Sequence, residues 1–116
     1  MPFDRSFLDS ENERVGLLLC DGQLVELTNI CSEPTEGFEV RGDELLPYLP
    51  KAVATWHTHP GESSNLSHGD YSTFLNYPDL RHHIVGTDGV STYEVKNGKV
   101  IVAETRPFAR ITGEAP

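Results

Sequence analysis

The chain contains little cysteine. Cys20 and Cys31 are the only two among 116 residues, and neither belongs to a Cys-x-x-Cys pair. Small secreted domains that lack a sufficient core depend on several disulfides, and two cysteines are too few for such a framework. Without a Cys-x-x-Cys pair, the usual zinc-thiolate and dithiol redox motifs are also excluded. We therefore expect both thiols to be reduced.

Long hydrophobic runs are missing as well. The longest, at residues 15–19, is interrupted by Gly16, whereas a helix that spans a membrane needs about 20 apolar residues. The opening segment, MPFDRSFLDSENE, does not have the apolar core of a signal peptide. We expect a protein that has no membrane partner and is located in the cytoplasm.

Positive charge is scarce. Lys and Arg number 9 against 18 Asp and Glu, which gives a net charge of -9. A surface of this sign repels phosphate groups, so nucleic acid is not an expected partner. It favours instead a protein or peptide that carries basic patches. The oligomeric state stays open at this point.

The chain is expected to form one domain over residues 1–116. With 37% hydrophobic residues it can bury a single core without disulfides or obligatory oligomerisation, and no repeat or linker divides it. Residues 105–116, TRPFARITGEAP, have no clear period and are predicted to form a loose tail.

Turn dipeptides indicate a largely antiparallel sheet. Dipeptides that tolerate positive φ separate pairs of apolar segments at Asp21-Gly22, Asp88-Gly89 and Asn97-Gly98. Such dipeptides close tight hairpins, so each of them predicts two antiparallel strands. A further run that is typical of a strand, AVATWHTH, begins at Ala52 and ends before Pro60.

The remaining predicted elements are short. Phe38–Val40 is a candidate for one more strand. Helices are predicted at Arg5–Leu8, Gly42–Tyr48 and Ser67–Leu75. The third of these begins with a good capping residue and has a carboxylate three residues later. The expected fold class is α/β, with a mixed, largely antiparallel sheet of about six strands flanked by short helices.

Histidine and aspartate concentrate in the segment HTHPGESSNLSHGD, residues 57–70. Residues two apart in a strand point to the same side, so His57 and His59 would present both imidazoles together. Pro60 ends the strand, and Asp70, one turn into the next helix, would project towards the same end. Two imidazoles and a carboxylate leave a fourth tetrahedral position to water, as in catalytic zinc sites. The segment therefore predicts one Zn²⁺ per chain, bound by His57, His59 and Asp70.

Each part of this pattern also has a plain structural interpretation. Ser67 and Asp70 can form an ordinary capping box at the start of a helix. A His-x-His sequence at the end of a strand can simply face solvent. The combination of both parts at this spacing favours a metal site. Deaminase chemistry is disfavoured, because the required His-x-Glu and the later Pro-Cys-x-x-Cys have no counterpart here.

The complete pattern resembles the signature of a known family. His-x-His-Pro, six further residues and then Ser-x-x-Asp occur at His57, His59, Pro60, Ser67 and Asp70. This is similar to the signature of the JAMM (MPN+ or JAB) metalloproteases. That family also has an upstream glutamate followed by a glycine and an apolar strand, and the segment ENERVGLLL resembles it with Glu13.

The resemblance implies a role for each of these residues. His57, His59 and Asp70 would bind zinc, Glu13 would be the general base and acid, and Ser67 would help to stabilise an oxyanion. The implied fold is the MPN/JAB fold, which is of the cytidine-deaminase-like type.

For Glu13 an alternative stays open. It can be a solvated charge beside Glu11 and Arg14, and Glu11 is the main competitor for the catalytic role.

The resemblance also implies a function. It is that of a zinc metallopeptidase or isopeptidase, which hydrolyses an amide bond after the C-terminal tail of a ubiquitin-like or other small protein, without a covalent intermediate. The chain is compact between Glu13 and His57 and between Asp70 and its end, which leaves little room for the insertions that grip ubiquitin in deubiquitinating members, and it resembles small bacterial and phage members instead. A second function class is a non-catalytic MPN-fold binding or assembly module, such as one in phage tail assembly.

Overall fold

One sheet organises residues 2–108, which are the residues that this computed structural model describes. Its strands are β1 (Val15–Leu19), β2 (Leu24–Leu27), β3 (Ala52–Thr58), β4 (Arg81–Gly86), β5 (Gly89–Lys96) and β6 (Lys99–Arg106). The helices are α1 (Gly42–Leu45) and α2 (His68–Leu75), and short 3-10 turns lie at Arg5–Leu8 and Leu49–Lys51. The six strands have the spatial order β2-β1-β3-β4-β5-β6.

The sheet is mixed. β3 and β4 run parallel, and every other neighbouring pair is antiparallel. A parallel pair needs a crossover connection, and the chain between β3 and β4 supplies one that contains α2. The predicted α/β class and the mixed sheet of six strands with short helices are confirmed. The predicted hairpins are present as well, with positive φ at Gly22, at Gly89 and at Asn97-Gly98.

Apolar side chains cover both faces of the sheet. On one face, Trp56 of β3 packs against Phe3 from the N-terminal segment. On the other face, Phe74 of α2 packs against Ile84 of β4. Because side chains alternate along β3, His57 lies on the second face, where α2 covers the sheet.

Gly16 in β1 has no room for a side chain. It lies opposite Trp56 in the register of β1 and β3, and a Cβ there would overlap the Trp56 indole and the Val25 carbonyl oxygen. We expect Gly16→Ala to destabilise the fold by about 1–3 kcal/mol, because a closely packed interior accommodates added atoms poorly. The midpoint of urea denaturation measures this change, with Gly42→Ala as the control because Gly42 has open space around it. Equal midpoints for Gly16→Ala and the wild type would contradict this explanation.

Two predicted elements before β3 differ in the structure. The helix predicted over Gly42–Tyr48 ends at Leu45. Pro47 has no N–H to continue the helical hydrogen bonds, and the Tyr48 N–H donates to the Leu45 carbonyl in a 3-10 turn instead. The strand predicted at Phe38–Val40 is wrong. The backbone N–H of Glu39 donates to the side-chain Oδ1 of Asn29, so no regular ladder of backbone hydrogen bonds forms there.

The predicted loose tail is partly wrong. β6 continues to Arg106, which pairs with Val90 of β5, and the side chain of Phe108 is buried. The rest of the predicted tail, residues 109–116, lies outside the described residues. Within residues 2–108, no helix is long and apolar enough to cross a membrane.

Candidate metal centre

The end of β3 places two imidazoles side by side. His57 lies within β3 and His59 follows its last residue, and the His59 N–H donates to the Val85 carbonyl of β4 at 2.8 Å. This bond extends the pairing with β4 beyond the end of β3. The Nε2 atoms of His57 and His59 are 3.1 Å apart, and both residues are buried. The structure thus brings the two histidines together as the sequence predicts.

Asp70 completes this group from the first turn of α2. The Ser67 N–H donates to Asp70 Oδ2 at 2.9 Å, and the Asp70 N–H donates to Ser67 Oγ at 3.1 Å, which makes a complete capping box. The same carboxylate contacts both histidines. Oδ1 lies 3.0 Å from His57 Nε2, and Oδ2 lies 3.1 Å from His59 Nε2. The capping box and the histidine contacts are therefore not alternatives, because Asp70 makes both.

The spacing of these atoms fits ligands around one metal ion. Ligand atoms at about 2.0–2.1 Å from zinc lie about 3.3 Å from one another in a tetrahedron. The distances among His57 Nε2, His59 Nε2 and the Asp70 oxygens are 3.0–3.1 Å. Glu13 is close by, since one ligand atom each of Glu13, His57 and His59 lie within 4.8 Å of one another. The buried group of Glu13, His57 and His59 could hold a metal ion.

A backbone carbonyl sets the orientation of His59. Its Nδ1 donates to the Ser63 carbonyl at 2.9 Å, which leaves the lone pair on Nε2 for a cation. The loop that carries Ser63 is anchored in turn: the Ser64 N–H donates to Asp88 at 2.8 Å, and the Tyr93 hydroxyl donates to the Ser64 carbonyl at 2.9 Å. Sequence reasoning missed these residues. No spacing signal reveals them, because Ser63 acts through its backbone and Asp88 is distant in the chain.

Asn29 holds the segment that carries Glu13. Its side-chain NH2 donates to the Glu13 carbonyl at 2.8 Å and to the Gly37 carbonyl at 3.0 Å. Its Oδ1 accepts the N–H groups of Cys31 at 3.0 Å and Glu39 at 3.1 Å. One amide side chain therefore ties Glu13 to the loop that precedes α1. Sequence reasoning missed Asn29 as well.

We expect Asn29→Ala to loosen this loop while the histidines and Asp70 stay in place. The substitution removes four hydrogen bonds to backbone groups that are part-buried or exposed, and a typical hydrogen bond contributes about 0.5–1.5 kcal/mol. Hydrogen exchange measures the effect, and the amides of Cys31 and Glu39 should exchange faster. Asn12→Ala is the control, because Asn12 is exposed. Unchanged exchange at both amides would show that Asn29 does not hold the loop.

Burial changes the protonation of Glu13. The residue is only 8% exposed. Burial raises the pKa of its carboxyl to about 7; nearby His59 lowers the pKa, whereas Asp70 and Glu62 add to the increase. A carboxyl with a pKa near neutrality can both accept and donate a proton, which a general base and acid requires. The alternative of a solvated charge at Glu13 is wrong, and the competing Glu11 is exposed.

Burial and the Asp70 carboxylate set the protonation of the two histidines. Although burial opposes it, hydrogen bonds from His57 and His59 hold the pKa of the Asp70 carboxyl well below its usual range. Burial lowers the pKa of His57 and outweighs the effect of the carboxylate. At His59 burial also lowers the pKa, but bonds with Asp70 and Ser63 outweigh it and raise the pKa overall. An ionised Asp70 and a neutral His57 are in the state that binds metal, whereas a protonated His59 has to release its proton when a cation binds.

A cleft opens onto the group. It has a volume of about 420 Å³, and Glu13, His59, Ser67 and Asp70 are among its lining residues. Ser67 is exposed, and because its Oγ accepts the Asp70 N–H, its hydroxyl hydrogen is free to donate. The arrangement can therefore place a bound molecule against a cation, a buried carboxyl and a hydrogen-bond donor at once.

The remaining histidines do not join this group. His82 is buried, and its ring nitrogens lie 2.7 Å from the Thr55 hydroxyl and 3.0 Å from the Tyr77 carbonyl. His83 lies on the opposite face of the sheet near Phe3. His68 is exposed. Both ring nitrogens of His82 have partners in the protein, so this residue serves packing rather than ligation.

These residues define a candidate centre for a single metal ion with an adjacent buried carboxyl. No family model matches the chain, and no curated protein matches it. A function therefore has to be inferred from the geometry of the site together with the sequence pattern.

Proposed function

We propose that the chain is a zinc-dependent metallopeptidase of the JAMM (MPN+) type, a hydrolase that cleaves an amide bond. The observation that carries this proposal is the convergence of His57, His59 and Asp70 beside the buried Glu13, in a cleft. Structural zinc sites use four protein ligands, whereas catalytic sites use three. Within the α/β class, we assign the mixed sheet to the MPN/JAB fold.

The proposed reaction gives each residue a separate task. Held by His57, His59 and Asp70, one zinc ion per chain would supply a Lewis acid that acidifies water and polarises a carbonyl. Glu13 accepts a proton from the attacking water and later donates it to the leaving amine. Ser67 donates its hydroxyl hydrogen to the developing oxyanion. No covalent bond between protein and substrate is needed.

The proposed substrate is a protein or peptide. By the resemblance, the C-terminal tail of a ubiquitin-like or other small protein is the first candidate. The cleft is lined by the exposed Glu36 and Glu62 in addition to Glu13, so its entrance is acidic and favours basic residues near the cleaved bond. Cys20 and Cys31 are free thiols, which suits the cytoplasm, where we place the protein.

Peptide cleavage by the zinc-reconstituted protein tests this proposal. A panel of peptides and ubiquitin-like C-terminal amides is incubated with the protein, and new termini are identified by mass spectrometry. Cleavage at a defined bond that stops with a chelator and returns with Zn²⁺ supports the proposal. A protein that binds zinc but cleaves no member of the panel would instead favour a non-catalytic binding or assembly module of the same fold.

A further inference from the structure

A second pocket lies beside the candidate metal centre. It has a volume of about 260 Å³. Leu45 of α1 and Phe74 of α2 both line it, together with Val15 of β1 and His57 of β3. The pocket is therefore built between the two helices and the sheet face that carries the metal ligands.

This apolar pocket and the metal cleft share a border. Phe38 and Thr73 line both spaces. The ring of Phe38 packs against that of His57, with 4.7 Å between their centroids. A substrate with its scissile bond at the metal centre would thus bring a neighbouring side chain to the entrance of the apolar pocket.

The two spaces differ in chemistry. The metal cleft has four carboxylates in its lining, from Glu13, Glu36, Glu62 and Asp70. Among the described residues that line the apolar pocket there is no Asp, Glu, Lys or Arg. A charged side chain would lose its hydration there without gaining a partner, whereas an apolar side chain is stabilised by leaving water. The pocket therefore selects for an uncharged, apolar group.

We propose that the apolar pocket is a specificity site that takes one large apolar side chain, of the size of Leu, Met or Phe, from a residue next to the cleaved bond. This inference rests on the proposed peptidase function. Pockets that enclose whole small molecules have volumes of about 300–1,000 Å³. At about 260 Å³, this one fits a side chain better than a complete ligand.

Matched peptides test the preference. Two series carry Leu, Ala or Asp, one series directly before the cleaved bond and the other directly after it. In the series whose side chain enters the apolar pocket, we expect kcat/KM for Leu to exceed that for Ala by at least about 10-fold, with Asp the slowest. The series that shows the preference identifies whether the pocket holds the residue before the cleaved bond or the residue after it. Equal rates for Leu and Ala in both series would overturn the inference.

Two adjacent leucines provide a matched pair of variants. Leu45 lines the apolar pocket, whereas Leu46 does not and is 64% exposed. Leu45→Trp should reduce the ratio of kcat/KM for the Leu peptide to that for the Ala peptide towards one. Leu46→Trp should leave this ratio at its wild-type value. Val40→Phe fills the pocket from a different segment and replaces Leu45→Trp if that variant does not fold.

A binding measurement separates this inference from the proposed function. N-acetyl-leucine amide is titrated into the zinc-loaded protein, and the methyl signals of Leu45 and Val40 are followed by NMR. Saturable shifts with this probe support the specificity site even where no peptide is cleaved. The shifts should be absent with N-acetyl-aspartate amide, and the shift at Leu45 should be absent in Val40→Phe. Cleavage of peptides without any saturable methyl shift would overturn the specificity site and leave the peptidase function standing.

Discussion

Zinc content is expected to fall strongly when His57 or Asp70 is replaced by alanine. The wild type should hold about one zinc ion per chain, because His57, His59 and Asp70 converge: the two Nε2 atoms are 3.1 Å apart, and each lies 3.0–3.1 Å from one oxygen of Asp70. With His57 removed, two of these protein ligands remain, and zinc sites in proteins use at least three. With Asp70 removed, Glu13 still lies near both histidines, so the zinc content should fall strongly but less than in His57→Ala. Elemental analysis of the purified proteins, before and after reconstitution with zinc, measures the change.

Asp70 also caps α2, so the loss of zinc has to be separated from a disturbed helix. Ser67→Ala breaks the capping box at a cost of about 1 kcal/mol and leaves all three proposed ligands, so it should keep its zinc. Asp70→Asn can still accept the Ser67 N–H but carries no charge, so its zinc content should fall. Zinc at the wild-type level in both Asp70→Asn and His57→Ala, or none in the reconstituted wild type, would refute the metal centre.

The sequence predicts those parts of the site whose geometry is set by residues close together in the chain. His57 and His59 share a face because residues two apart in a strand always do. Asp70 could be placed because a capping box fixes a carboxylate at the start of a helix. The hairpin turns are local in the same sense, since the positive φ angles of Asn97-Gly98 and similar dipeptides are enough to close a hairpin.

The parts that sequence reasoning missed depend on contacts between distant segments. Asn29 bonds the backbone of Glu13, and the Ser63 carbonyl orients His59. Neither contact leaves a periodic or spacing signal, because one partner is a backbone group. The apolar pocket is non-local too, since Leu45 and Phe74 come from different helices. Burial of Glu13 follows from the same tertiary contacts, so the segment that contains it does not reveal its shifted pKa.

Glu13→Gln is expected to reduce cleavage strongly and to leave zinc in place. The amide is nearly the same size as the carboxyl and fits the same buried position, but it cannot take a proton from water at neutral pH. General base catalysis typically contributes about 10²–10⁴-fold, so kcat/KM should fall by a factor in that range. The measurement uses zinc-reconstituted protein and a peptide that the wild type cleaves, with zinc content determined on the same samples.

Glu11→Gln is the matched control for this substitution. Glu11 is two residues from Glu13 and is exposed, so it shares the local sequence and the change of charge but not the burial that raises the pKa of Glu13. Its variant should retain both zinc and activity. Full activity in Glu13→Gln, or an equal loss in Glu11→Gln, would mean that the proton is accepted elsewhere. An equal zinc content in all three proteins is what allows the change in rate to be assigned to proton transfer rather than to the metal.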